Sequence, residues 1–124
     1  ALVHADAFKI EQVLINLVHN ASKNTGAGGT ITIRVASNPD GAMISVQDTG
    51  VGLTPFEMEK LFKKFTKISR EDVGENIDIQ GTGLGLFISR QIVEAHGGKI
   101  WAESAGRNKG ATFTFTIPHD PGKR

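Results

Sequence analysis

Two asparagines and a lysine pose the first chemical question. Asn16, Asn20 and Lys23 lie in the stretch DAFKIEQVLINLVHNASKNT, residues 6–25. At about 100° per residue of helix, the three fall within about 60° of one another. Lys9, Gln12 and His19 flank them. Asn offers a neutral oxygen to Mg²⁺, which takes oxygen ligands and works alongside substrate phosphates. An Asp there would crowd a triphosphate. Lys supplies a point charge to a phosphate oxygen. Two readings stand at this point: a solvated helix face, and a site for a metal-bound polyphosphate.

Two glycine-rich pieces bear on the choice. DTGVGL (48–53) puts Asp48 before Gly50 and Gly52. Glycines let the backbone turn sharply and approach a flat ligand. A carboxylate beside them can accept from an amino group, which adenine carries at N6 and guanine replaces with an acceptor oxygen. The same residues also suit an ordinary strand-end turn. GTGLGL (81–86) can expose backbone N–H groups to phosphate at a helix start. It is not a P-loop, because no Gly-Lys-Ser/Thr follows, and no strand precedes it as a dinucleotide fingerprint requires.

The elements that must position these residues follow from periodicity. Ile10, Val13, Leu14, Leu17, Val18 and Ala21 make one apolar helix face, with Asp6 at the N-cap position and Gly26 as a stop. TITIRVAS (30–37) and AMISVQDT (42–49) read as an antiparallel hairpin about the turn Asn38-Pro39-Asp40-Gly41. Thr54, Pro55 and Glu57 form a capping box that starts a helix ending near Phe62 or Lys64. Residues 66–82 are polar and weakly periodic, as in a functional loop or a disordered segment. A third helix runs from GTGLGL to about His96 and stops at Gly97-Gly98. His96 reads as a helix-end residue that meets terminal carbonyls. Strands at 99–105 and 111–117 close the chain, and residues 1–5 suit a short leading strand. The order predicts an α+β fold: a two-layer sandwich with a mixed, mostly antiparallel sheet and about three helices on one face.

Composition narrows the function classes. The 124 residues suit one domain with a real core. A net charge of +1 carries no strong field toward nucleic acid or anionic membrane. The absence of cysteine removes disulfides, thiolate metal sites and Cys nucleophiles. No apolar run is long enough to span a bilayer. The chain opens on Ala close to a helix, which reads as a domain of a longer protein.

Taken in order, these pieces resemble a known family. NLVHNASKNT (16–25) resembles the N box of sensor histidine kinases, DTGVGL (48–53) their G1 box and LFKKF (61–65) their F box. GTGLGLFISRQIVEAHGGKIWAES (81–104) is similar to the G2 box and its continuation, and GATFTFTIP (110–118) to the final strand. The chain thus resembles the ATP-binding catalytic domain of two-component histidine kinases, in the gyrase/Hsp90/histidine kinase/MutL superfamily with the Bergerat fold. The resemblance implies a domain over 1–118 with an ATP lid at about 66–82, and a tail at 119–124. It implies Mg²⁺ on Asn20, with Asn16 nearby and Lys23 and Lys67 toward the phosphates. Asp48 would read the adenine amino group directly and through a water, with Gly50 and Gly52 shaping the pocket. Phe62 and Phe65 would anchor the lid, and Gly81, Thr82, Gly83, Leu84, Gly85 and Leu86 would border the ATP.

The implied activity is transfer of the γ-phosphoryl group of Mg-ATP to a histidine on a separate dimerization/phosphoacceptor domain, with a response regulator downstream in the phosphorelay. The isolated piece would be monomeric, the parent homodimeric and the location cytoplasmic, with no nucleic-acid partner. Whether the parent has a membrane anchor stays open. Superfamily ATPases and anti-sigma-factor serine kinases resemble one another in a Glu general base four residues before the metal Asn; here that place is Asn16. An amide takes no proton from water or serine at neutral pH, which disfavours an ATPase or serine kinase. A non-catalytic ATP-binding switch module is the other alternative. Asn24 stands where the family often has an aromatic residue against adenine, and Lys63-Lys64 replace the usual F-box pair. None of His4, His19, His96 or His119 has the context of a phosphoacceptor.

Overall fold

Helix α1 (Ala7–Asn24) starts where Asp6 caps it, the Asp6 carboxylate accepting from the N–H groups of Phe8 (3.1 Å) and Lys9 (3.2 Å). The computed structural model describes residues 6–62 and 85–118, the side chain of Asn38 excepted. The expected strand at 1–5 and tail at 119–124 lie outside the described residues. Val13, Leu17 and Ala21 of α1 are buried, as the apolar spacing requires.

The helix ends just before Gly26, where the sequence puts its stop, but the cap conformation differs from a glycine cap. Thr25, extended at φ −110°, forms the cap, and the left-handed glycine is Gly28 (φ 87°) rather than Gly26. The reason is tertiary: the Asn24 carbonyl accepts from the Val51 N–H (3.1 Å), so a distant turn occupies this end of the helix.

Strands β1 (Ile31–Asn38) and β2 (Gly41–Asp48) form the expected hairpin, with only Pro39 and Asp40 between them. Helix α2 (Pro55–Lys60) begins with the expected capping box: Thr54 Oγ1 accepts from Glu57 N, and Glu57 Oε1 accepts from Thr54 N. Helix α3 (Gly85–Ala95) leads into β3 (Ile100–Glu103) and β4 (Ala111–Pro118). Its end is the predicted glycine stop. Gly97 is left-handed at φ 80°, and the N–H groups of Gly98 and Gly97 reach back to Val93 O (3.0 Å) and Glu94 O (2.9 Å).

The sheet runs β1-β2-β4-β3, antiparallel at every described pairing. Register sorts its two faces. Val46 pairs with Phe113 and Ile44 with Phe115, and these meet the helices. Arg34, Ser45, Thr114 and Trp101 share the opposite face. Leu53, Leu61, Leu86 and Val93 complete the core on the helical side. The architecture is the expected two-layer α+β sandwich, its sheet antiparallel among the described residues. No helix among them is long and apolar enough to cross a membrane.

Candidate functional site

The polar row of α1 does not face open solvent along its length. Asn16 Nδ2 donates to Ser89 Oγ (3.2 Å) and to Gly85 O (3.4 Å), tying α1 to the first turns of α3. Ser89 is fully buried, so this amide sits at a helix–helix junction. Asn20, one turn on, is half-buried, and its side chain has no hydrogen-bond partner among the described residues. Lys23 is half-buried in the last turn. Asn24 continues the i, i+4 row of Asn16 and Asn20. It is 5% exposed, and its Oδ1 has no hydrogen-bond partner among the described residues.

At the far end of that row lies the glycine turn. Asp48 closes β2 at 2% exposure, and its Oδ1 accepts from Gly50 N (2.8 Å). Gly50 is glycine because two neighbours press on it. An added Cβ would sit 2.1 Å from Asn24 O and 3.1 Å from Asp48 Oδ1. Gly52 is left-handed (φ 69°), and a Cβ there would meet Gly106 O at 2.1 Å. The turn after Asp48 thus packs against the end of α1 through Gly50 and Val51, and Lys23 and Asn24 end the same helix.

A second loop supports the turn from the other side. Between β3 and β4, Asn108 N donates to Val51 O (2.7 Å) and Gly110 N to Gly50 O (3.1 Å). Ser104 Oγ accepts from Leu53 N (3.0 Å) and donates to Gly110 O (2.6 Å). Arg107 Nη2 donates to Glu57 Oε2 at 2.8 Å. Sequence reasoning missed Ser104, Arg107 and Asn108, which lie in a turn without periodicity. It read Glu57 only as a capping residue. The spacing Thr54-x-x-Glu57 signals the cap, but no local signal announces a partner 50 residues away.

The remaining expected residues divide. Phe62 is half-buried with its ring edge-to-face on Phe113, centroids 6.3 Å apart. Gly85 is exposed at the start of α3, with nothing near the position of a Cβ. The Leu86 side chain belongs to the core, so only its backbone is open to a ligand. Phe65, Lys67, Gly81, Thr82, Gly83 and Leu84 lie outside the described residues, as does the segment 66–82. His96 meets its expectation: Nδ1 lies 2.8 Å from Ile92 O. Its Nε2 also accepts from Asp6 N (3.0 Å), so the tautomer is Nδ1–H and the end of α3 is joined to the start of α1.

The described residues contain no group of three His, Cys, Asp or Glu able to hold a metal. The half-buried amide of Asn20 fits the neutral oxygen ligand that a phosphate-bound divalent cation would take. The arrangement can receive a flat, amino-bearing ring at Asp48. It can also receive anionic groups along the amide row toward the N-terminus of α3.

Such a layered fold with an amide-bearing first helix and a glycine turn is the class of the histidine-kinase-like ATPases. The family model described as histidine kinase-, DNA gyrase B- and HSP90-like ATPase matches residues 5–121. Sensor histidine kinase WalK of Bacillus subtilis is 41% identical over 94% of this chain and 19% of its own length. The catalytic domain of histidine kinase ThkA superposes with a TM-score of 0.80 at 39% identity, covering 96% of this chain and 73% of that one. ThkA in complex with response regulator protein TrrA gives 0.75 at 38% identity, over 98% of this chain and 32% of that one. Full-length ShkA in complex with AMPPNP gives 0.72 at 29% identity, over 89% of this chain and 21% of that one. The chain belongs to the histidine kinase-, DNA gyrase B- and HSP90-like ATPase family, and within it is a histidine kinase catalytic domain. It spans about a fifth of WalK's length.

Proposed function

We propose that this domain binds Mg-ATP and donates its γ-phosphoryl group to a histidine on a separate dimerization/phosphoacceptor domain of the parent protein. The acceptor nitrogen forms a bond to phosphorus, the bond from phosphorus to the β–γ bridging oxygen breaks, and ADP leaves. A response regulator takes the group onward. The observation that carries this reading is the buried Asp48 carboxylate at the glycine turn, against the end of the helix that bears Asn16, Asn20 and Lys23. From Asn24 to Asn16 the helix rises about 12 Å, enough to pass from a nucleobase to its outer phosphates. The AMPPNP complex of ShkA and the TrrA complex of ThkA support the nucleotide and the downstream partner.

In this reading Asp48 accepts from the adenine N6 amino group, which selects against guanine. Gly50 and Gly52 let the base lie against backbone. Lys23 and Lys67 face phosphate oxygens, and the segment 81–86 offers backbone N–H groups to them. Phe62 and Phe65 anchor the lid at 66–82. Asn20 would hold Mg²⁺ through its amide oxygen, and the bound ion would neutralise charge between the outer phosphates. Asn16 supplies no base; its amide joins α1 to α3. Neutral imidazole has a free lone pair, so positioning and charge neutralisation suffice for transfer. The domain would span 1–118, act in the cytoplasm as a monomeric part of a homodimeric parent, and have no nucleic-acid partner.

The experiment mixes the domain with a cognate acceptor domain and γ-labelled Mg-ATP. Wild type is expected to label the acceptor histidine, and Asn20→Ala to lose that labelling. Normal transfer by Asn20→Ala would sink the assignment. Tight ATP binding without any transfer by wild type would instead identify a nucleotide-binding switch. Calorimetry adds the base end: Asp48→Asn should weaken ATP binding by about tenfold or more, on the scale of a lost charged hydrogen bond.

A further inference from the structure

The glycine turn is braced by a charged pair that joins α2 to the loop between β3 and β4. Glu57 divides its two oxygens. Oε1 accepts from Thr54 N (3.0 Å) within the α2 cap, and Oε2 accepts from Arg107 Nη2 (2.8 Å) across 50 residues of chain. The pair is largely shielded from water, with side-chain exposures of 24% for Arg107 and 7% for Glu57. Shielding strengthens a charge-assisted hydrogen bond and penalises loss of one partner.

Arg107 lies between two of the residues that touch the turn. Before it, Gly106 O fills the place that a Cβ on Gly52 would need. After it, Asn108 N donates to Val51 O at 2.7 Å. Asn108 itself holds a left-handed backbone (φ 63°), a conformation that asparagine takes more readily than most non-glycine residues. Ser104 closes the loop by meeting Leu53 N, Gly106 N and Gly110 O. Anchoring the guanidinium therefore fixes the peptide groups on both sides of Arg107 against Val51 and Gly52.

We propose that Glu57 and Arg107 are positioning residues of the nucleotide site, whose ion pair sets the affinity for the base by holding the 104–110 loop against the Asp48–Gly52 turn. This rests on the nucleotide-binding reading above. A pair with a merely structural role would lower the unfolding temperature and leave the affinity of the folded protein unchanged. A positioning pair moves the affinity itself. Because it acts at the base end, it moves ADP and ATP alike, with or without Mg²⁺.

The test is calorimetric titration of the domain with ADP and with ATP, well below the unfolding transition, with circular dichroism confirming the folded state. Glu57→Gln keeps an oxygen for the Thr54 cap while removing the charge, and Arg107→Gln removes the other. Each is expected to weaken both nucleotides about tenfold, on the scale of coupled neighbours. The double variant should be no weaker than either single, and Arg107→Lys should lose less than Arg107→Gln. Wild-type affinity in the folded single variants would overturn the proposal, as would losses that multiply in the double. Wild type that binds no adenine nucleotide would overturn the underlying reading, and the brace with it.

Discussion

At Asn24 the chain buries a carboxamide whose oxygen finds no hydrogen-bond partner among the described residues, beside the buried Thr25 Oγ1, which finds none among them either. Leaving such a group unsatisfied costs about 1–3 kcal/mol. Asn24→Leu keeps the volume and drops the polar atoms, so urea unfolding of the nucleotide-free domain should show a gain of about 1 kcal/mol. A loss of stability would mean that the amide is satisfied after all. Asn16 gives the opposite expectation. Its amide bonds to the buried Ser89, so Asn16→Ala should destabilise by about 1–2 kcal/mol in the same experiment. Both residues have the same type and lie on one helical row; only their neighbours separate them. Sequence showed the residue type at both positions but could not tell a bonded junction amide from a buried one without a partner. Residues with local partners were legible. The Asp6 cap and the Thr54–Glu57 box act within four positions and stand where spacing put them.

Elements were legible to the extent that their ends are local. The stop of α3 at Gly97-Gly98 follows from glycine chemistry and is present. The stop of α1 falls just before Gly26, as expected, but without a left-handed glycine there; the Asn24 carbonyl instead accepts from Val51 N–H. Glycines that serve close approach belong to this scale. A Cβ on Gly98 would lie 1.8 Å from Thr116 O, where the turn between α3 and β3 packs against β4. Gly98→Ala must shift backbone on both sides, and a thermal melt should show a loss of about 3 kcal/mol or more. Thr54→Ala removes one half of a cap and should cost only about 1 kcal/mol. A reversed order of these two losses would contradict the packing described where that turn meets β4.

For the whole molecule, register decides which face is core. Val46, Phe113 and Phe115 turn toward the helices, while Thr114, Ser45 and Trp101 turn away. Ser45 Oγ and Thr114 Oγ1 lie 3.1 Å apart on that outer face, and Trp101 Nε1 donates to Glu103 Oε1 (3.2 Å). The single tryptophan thus sits opposite the helical layer that carries the amide row. Its fluorescence should follow global unfolding in denaturant, with little change on saturation with ATP. A large ATP-dependent change would show that the sheet transmits binding to its outer face. The edge strand β1 leaves Ile33 and Val35 48% and 70% exposed on the helical side, since α1 covers the centre of the sheet better than its border.

Order and periodicity were sufficient for the α+β architecture, the hairpin, the helix starts and the ordered set of boxes that resembles histidine kinases. Each of those depends on residues within one or two turns of one another, where a side chain's type largely dictates its role. What joins the boxes into a site depends on contacts between segments far apart in the chain. These include Asn16 with Ser89, Asn24 O with Val51 N, His96 with Asp6, and the Glu57–Arg107 pair that braces the glycine turn. No single segment carries a record of such partners, because their energy comes from burial and geometry that exist only once the layers have packed.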